Sequence, residues 1–237
     1  MKINGVFQSF QGEGKSVGIP SVFLRLYGCN LRCSWCDTPE TWNEEGTKYE
    51  HPKKHKKIDE CHLQSIVEIA KKLNCYDVRN LVITGGEPLI QQKELIELML
   101  ILKKEGWRFE VETNGTLLPT NAFLDLIDQI NCSPKLSNAG PDNPLYRRIV
   151  PEALERLTAS PKTNFKFVIE GFKDMEEIFP IINRYQIDKS RVYIMPEGST
   201  RQAQLTRRET IRAIAREYQV NYTDRLHILM YDDKRGV

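Results

Sequence analysis

Three cysteines, Cys29, Cys33 and Cys36, stand at spacing C-x3-C-x2-C within Cys29-Asn30-Leu31-Arg32-Cys33-Ser34-Trp35-Cys36, with Asp37 and Thr38 directly behind. The apolar run from Ser21 to Tyr27 reads as a buried strand, and Gly28 turns the chain out of it. The thiols therefore lie on a short loop at the carboxyl end of a strand, where α/β proteins place their chemistry. Thiolates this close repel one another unless a metal centre neutralises them. An iron–sulfur cluster takes four cysteine ligands; three leave one iron open to a non-protein ligand. Zinc is the competing reading, with a fourth ligand drawn from Asp37, His51, His55, Cys61 or His62, none at a familiar finger spacing. An accidental cluster of buried thiols is the bland one.

Other unusual residues also follow strands. Asn80 to Thr84 ends in Gly85-Gly86-Glu87-Pro88, where two glycines admit a ligand close to the backbone, Glu87 supplies a carboxylate and Pro88 starts a helix. Alone, this motif is equally a turn. Ser133-Pro134-Lys135 follows a later strand and, standing alone, is a solvent-facing pair around a proline. Gln8 to Gly14 is a glycine-rich loop, and by itself a turn. Arg25 sits inside Val22, Phe23, Leu24 and Leu26; a buried guanidinium needs an anion, either a bound carboxylate or a structural glutamate. The basic run His51 to Lys57 is proline-bounded, has no aromatic, and reads as a solvated loop.

Strand and helix patterns alternate along the rest of the chain. Helices are expected over Glu60–Leu73, Leu95–Leu102, Ala122–Ile127, Leu145–Leu157, Met175–Tyr185 and Leu205–Tyr218. Strands are expected over Arg108–Thr113, Gln129–Cys132, Asn164–Ile169 and Arg191–Met195, with a last extended segment over Leu226–Tyr231. About six βα units fit from Val22 onward, fewer than the eight of a closed barrel. The expectation is an α/β fold, an open partial (β/α)6 barrel forming one domain over residues 1–237, with Ile3–Phe7 paired at its side.

Hydrophobic residues make up 40 % of the chain, which is ordinary for a globular protein. No apolar run approaches the roughly 20 residues of a membrane span, and the N-terminus lacks a secretory h-region. Six cysteines in 237 residues are no disulfide framework, and a three-thiol cluster needs a reducing compartment, so a cytoplasmic location is expected. A net charge of +2 is too small to imply a nucleic-acid partner. Cys61, Cys75 and Cys132 read as ordinary thiols.

The cysteine spacing, with Trp35 before the third thiol, resembles the cluster loop of radical S-adenosylmethionine enzymes. There the open iron is chelated by the cofactor's amino and carboxylate groups, and a glycine-glycine-glutamate-proline segment binds the amino group. The fuller set is similar to the 7-carboxy-7-deazaguanine synthase family of 7-deazapurine and queuosine biosynthesis: Gln11-Gly12-Glu13-Gly14, Arg25, Cys29/Cys33/Cys36-Asp37-Thr38, Thr84 to Pro88, Glu112 to Thr116, Ser133-Pro134-Lys135 and the tail Asp233 to Val237. From about residue 140 to 220 only the strand–helix rhythm supports it.

The resemblance implies a ring contraction of 6-carboxy-5,6,7,8-tetrahydropterin to 7-carboxy-7-deazaguanine with loss of ammonia. A reduced [4Fe-4S] cluster and S-adenosylmethionine would start it by a radical that takes a substrate hydrogen and returns one. Cys29, Cys33 and Cys36 would hold the cluster within a loop spanning 28–45, and Thr38 would touch Mg2+. Trp35, Cys36, Asp37, Gly86, Ser133, Pro134 and Lys135 would contact S-adenosylmethionine. Gln11, Gly12 and Glu13, in a substrate loop spanning 8–14, would bind the pterin edge, with Arg25 on its carboxylate and Thr84 on the cofactor side. A flavodoxin- or ferredoxin-type electron donor and a homodimer belong to the same expectation. Two alternatives stay open: another small radical enzyme such as a glycyl-radical activase, and a non-catalytic iron–sulfur or zinc module.

Overall fold

A computed structural model of the chain describes residues 1–47, 55–232 and 234–236. In chain order its elements are β1 (Lys2–Phe10), β2 (Pro20–Leu26), α1 (Lys57–Glu60), β3 (His62–Leu63), α2 (Ile66–Asn74), β4 (Asn80–Gly85), α3 (Gln92–Lys103), β5 (Arg108–Thr113), α4 (Asn121–Leu126), β6 (Gln129–Cys132), α5 (Leu145–Arg148), α6 (Pro151–Ala159), β7 (Thr163–Ile169), α7 (Met175–Tyr185), β8 (Val192–Pro196), α8 (Arg201–Tyr218), β9 (Asn221–Tyr222) and α9 (Leu226–Tyr231). Among the described residues the strands form one open sheet in the order β3-β1-β2-β4-β5-β6-β7-β8-β9. From β2 to β9 neighbours run parallel, while β1 is antiparallel to both β2 and β3. Six of these seven parallel strands, β2, β4, β5, β6, β7 and β8, match the expected partial barrel, and the two-residue β9 adds an edge to it.

A period of two explains what each strand does. In β7, Phe165, Phe167 and Ile169 join the hydrophobic core, while Lys166 and Val168 line a cavity on the concave side. In β2, Val22, Leu24 and Leu26 go to the core and Phe23 and Arg25 to the cavity. In β5, Phe109 and Val111 pack outward, so Glu110 and Glu112 point inward. The outward faces are covered by apolar helix stripes such as Leu95, Leu98, Met99 and Leu102 of α3 and Ile178, Ile181, Ile182 and Tyr185 of α7. The interior left over is polar, and it holds the site.

Three expected boundaries are corrected. The helix anticipated from Glu60 begins at Ile66, because Ser65 and Glu68 form a reciprocal capping box; Leu63 becomes an edge-strand residue with 80 % exposure. The helix anticipated over Leu145–Leu157 is two, since Pro151 starts α6 and its ring excludes a continuing helix. The segment Leu226–Tyr231, expected to be extended, is the helix α9. Six largely apolar residues fit either form, and short runs of that kind are not separable by periodicity. Of the basic run, His51 to Lys54 lie outside the described residues, as do Asp233 and Val237 of the tail.

Candidate active site

The cluster loop leaves β2 and is pinned at once. The Gly28 amide donates to the Thr41 carbonyl at 2.8 Å, closing the loop on itself. The Gly86 amide donates to the Leu26 carbonyl at 3.2 Å, and that of Glu87 to the Gly28 carbonyl at 2.8 Å. This is why glycine stands at 86: a Cβ there would run into the Gly28 carbonyl. The second motif is thus packed on the root of the first. Glu87, expected to offer a carboxylate, accepts instead from the amides of Leu89 and Asn114 at 3.0 and 2.7 Å and from the Thr113 hydroxyl at 2.8 Å. Asn114 Nδ2 then donates to Asn30 Oδ1 at 2.9 Å and Asn30 Nδ2 to Thr116 Oγ1 at 2.7 Å, so Asn114 and Thr116 hold the cysteine loop.

Cys29, Cys33 and Cys36 line one cavity of about 210 Å³, together with Gln11, Gly12, Glu13, Arg25, Trp35, Asp37, Thr38, Thr84 and Gly86. Ser133 and Lys135 join them from the end of β6. Lys135 donates to Ser133 Oγ at 2.9 Å and its ammonium lies 5.4 Å from the Trp35 ring centre. Pro134 is buried and stays outside the lining. Residues far apart in the chain therefore meet on one face, as strand-end motifs of a parallel sheet must.

The thiols fit a polycationic group. Burial pushes the Cys33 thiol up to about 12, and raises Cys29 and Cys36 as well. Two sulfurs already accept N–H bonds, Cys29 from the Leu31 amide at 3.4 Å and Cys36 from Trp42 Nε1 at 3.3 Å. Iron would supply the positive charge that makes such thiolates stable. Among the described residues no three His, Cys, Asp or Glu side chains, these thiols included, stand close enough to hold a single metal ion.

The loop over residues 8–14 is organised by Gln11. Its Oε1 accepts from the amides of Gly12 and Glu13 at 2.8 and 3.2 Å, and its Nε2 donates to Glu110 at 2.5 Å and Glu112 at 3.1 Å. Glu13 then projects between two cations absent from the expected set. Lys166 Nζ lies 2.8 Å from its Oε2 and Arg225 Nε 2.9 Å from its Oε1. Burial opposes ionisation of Glu13, but Lys166, Arg225 and His227 outweigh it and hold the carboxyl well below its usual range. Lys166 also meets Glu112 at 2.6 Å. One ammonium cannot serve both carboxylates equally: burial, with Glu13 and Glu110 alongside, raises Glu112 to about 7 despite Lys166.

Arg25 Nη1 pairs with buried Glu40 at 3.2 Å, and its guanidinium lies 5.0 Å from the Phe7 ring centre. The structural-glutamate reading thus holds for one nitrogen. Nε is buried without a partner, and Arg25 faces Thr84 across the β2–β4 register on the cavity side. Thr38 Oγ1 lies 3.7 Å from Cys36 Sγ. Asp37 pairs with Arg225 and lies 3.9 Å from His227 Nε2; burial opposes its ionisation, and Arg225 with His227 overcomes that and holds the carboxyl far below its usual range.

Residues 24–181, more than half of the chain, match the Radical SAM superfamily. A protein of Pyrobaculum aerophilum named 7-carboxy-7-deazaguanine synthase is 36 % identical, over 100 % of this chain and 97 % of its own. One of Rhodopirellula baltica with the same name is 33 % identical over 99 % of this chain and 88 % of its own. The chain belongs to the 7-carboxy-7-deazaguanine synthase family. The crystal structure of QueE from Escherichia coli superposes with a TM-score of 0.68 at 27 % identity, covering 95 % of this chain and 94 % of that one. In this synthase-family chain, Lys166, Arg225 and His227 line the same cavity and were passed over by motif reading. A lysine alone among Phe165, Phe167 and Val168 is the same kind of sign as Arg25 in β2, and could have pointed to the first.

Proposed function

We infer that this chain converts 6-carboxy-5,6,7,8-tetrahydropterin to 7-carboxy-7-deazaguanine with release of ammonia. The observation that carries the reading is the single cavity shared by the three loop thiols, the Gln11–Glu13 loop, Arg25 and Thr84. When bound, the cluster and S-adenosylmethionine supply the one-electron chemistry; the protein's share is placement and exclusion of water. Ionised Glu13 suits adjacent N–H donors on a guanine-like edge. Arg25, with one nitrogen on Glu40 and Nε unused, suits the substrate carboxylate. Ser133, Lys135 and Trp35 form the wall suited to S-adenosylmethionine, and Gly86 lines the same cavity. Anaerobic turnover of the carboxypterin, read by product mass, tests the assignment; cofactor cleavage without the deazapurine product would refute it.

Arg25→Ala should keep substrate-independent cleavage of S-adenosylmethionine while carboxypterin conversion collapses. Losing a guanidinium–carboxylate pair costs on the order of 2–5 kcal/mol of binding. If the variant loses its iron instead, Arg25 serves Glu40 and the loop.

We assign Mg2+ to the Thr38 hydroxyl, completed by substrate oxygens. One neutral oxygen does not compensate for dehydrating so small a cation, so free protein should bind it weakly. Added Mg2+ should lower the KM for carboxypterin, and Thr38→Val should abolish most of that gain with iron content intact. An unchanged magnesium response moves the ion to Asp37. The same reading includes a homodimer, a flavodoxin- or ferredoxin-type reductant and a reducing cytoplasm. The six cysteines are all free thiols, and no described helix is long and apolar enough to cross a membrane.

A further inference from the structure

Residues 223–227 lie beyond the stretch that matches the superfamily, yet they hold the substrate loop residue by residue. Thr223 Oγ1 accepts from the Gly14 amide at 2.9 Å, and the Leu226 amide donates to the Gly12 carbonyl at 2.8 Å. A Cβ on Gly12 would strike the His227 ring. Between these contacts, Arg225 Nε reaches Glu13 at 2.9 Å, Nη1 donates to the Gly198 carbonyl at 3.1 Å, and Nη2 meets Asp37, the residue after Cys36. Its side chain is 6 % exposed. One buried guanidinium thus spans the substrate loop and the cluster loop. The other charged groups near the two carboxylates are Lys166, Glu112, which shares that lysine with Glu13, His227 and Arg25.

Both Glu13 oxygens are engaged, Oε1 by Arg225 and Oε2 by Lys166. Each oxygen keeps one lone pair for other donors, so the orientation of the carboxylate decides whether those pairs face the cavity. A planar fork faces two carboxylates at once; a lysine ammonium is a point charge that settles on one.

We propose that Arg225 is a positioning residue that couples the two loops, aiming Glu13 at the substrate edge while fixing Asp37 behind the cluster ligands. This rests on the reading of Glu13 as a substrate contact. With Asp37 neutralised, the guanidinium shifts toward Glu13 and competes with the substrate's N–H groups. Substrate affinity therefore depends on a residue of the other loop, through Arg225.

The test is a cycle on the anaerobically reconstituted full chain, with carboxypterin affinity measured by calorimetry at saturating S-adenosylmethionine. Asp37→Asn is expected to weaken binding about tenfold, and Arg225→Lys by about tenfold or more. The double variant should bind no worse than Arg225→Lys alone, because lysine leaves nothing to transmit; interactions of this size are ordinary within one charge network. Iron content should stay native in both single variants. If Arg225→Lys does not fold, Glu13→Gln takes its place, and Asp37→Asn should then add no further loss. Additive losses, or an unchanged affinity in Asp37→Asn, overturn the coupling while the functional reading stands. An unaltered protein that binds no carboxypterin overturns that reading and this inference with it.

Discussion

Cys33→Ala is expected to yield protein without an iron–sulfur cluster, whereas Cys61→Ala should keep the full iron content. Cys33 is buried and lines the cavity. Cys61 closes α1, its amide donating to the Lys57 carbonyl at 2.8 Å, and takes no part in the cavity wall. Because burial pushes the Cys33 thiol up to about 12, the empty loop holds its protons at neutral pH and loading must release them. Iron uptake during anaerobic reconstitution should consequently fall as pH is lowered. Iron and sulfide analysis with the visible spectrum is the measurement. Equal loss in both variants would refute the ligand assignment.

Lys166→Met should destabilise the fold by about 3–5 kcal/mol, the cost of stripping a buried ion pair of one partner. The lysine side chain is 1 % exposed and stands between Glu13 and Glu112. The penalty should depend on pH. The folded state raises Glu112 from 4.5 to about 7, so it favours the protonated carboxyl; that contribution is complete at low pH and is lost as pH rises through about 7. Urea melts at pH 5 and pH 8 should show the larger Lys166→Met penalty at pH 8, where both carboxylates lack protons and their shared cation. Adding Glu112→Gln should recover part of the loss at pH 8 and little at pH 5. A penalty equal at the two pH values would show that Lys166 acts by packing alone.

What could be read from the sequence was local. The thiol spacing, the paired glycines and Ser133-Pro134-Lys135 each end a strand, and a parallel sheet puts strand ends on one face without further information. Arg25 was conspicuous because its neighbours are apolar; the choice between substrate and glutamate needed Glu40, fifteen residues on and folded back by the cluster loop. Arg225 gave no such sign. It follows Asp224 in a polar turn, and its burial exists only because Glu13 and Asp37 arrive from elsewhere. Leu226–Tyr231 failed for the opposite reason: the apolar run was plain, but its conformation is set by docking beside Gly12, which no local pattern contains.

The hold that residues 223–227 have on the loop over residues 8–14 spans the chain, with Gly14 and Thr223 separated by 209 positions and Glu13 and Arg225 by 212. At 5–20 residues per second, about 10–40 s of translation separates the loop from its partners. A nascent chain in that interval already carries all three cluster cysteines, while Glu13 and Asp37 still await Arg225. Until those residues are made, the loop over residues 8–14 lacks the partners that Thr223, Arg225 and Leu226 supply. Iron uptake by ribosome-bound chains stalled on either side of residue 223 reads whether loading depends on them.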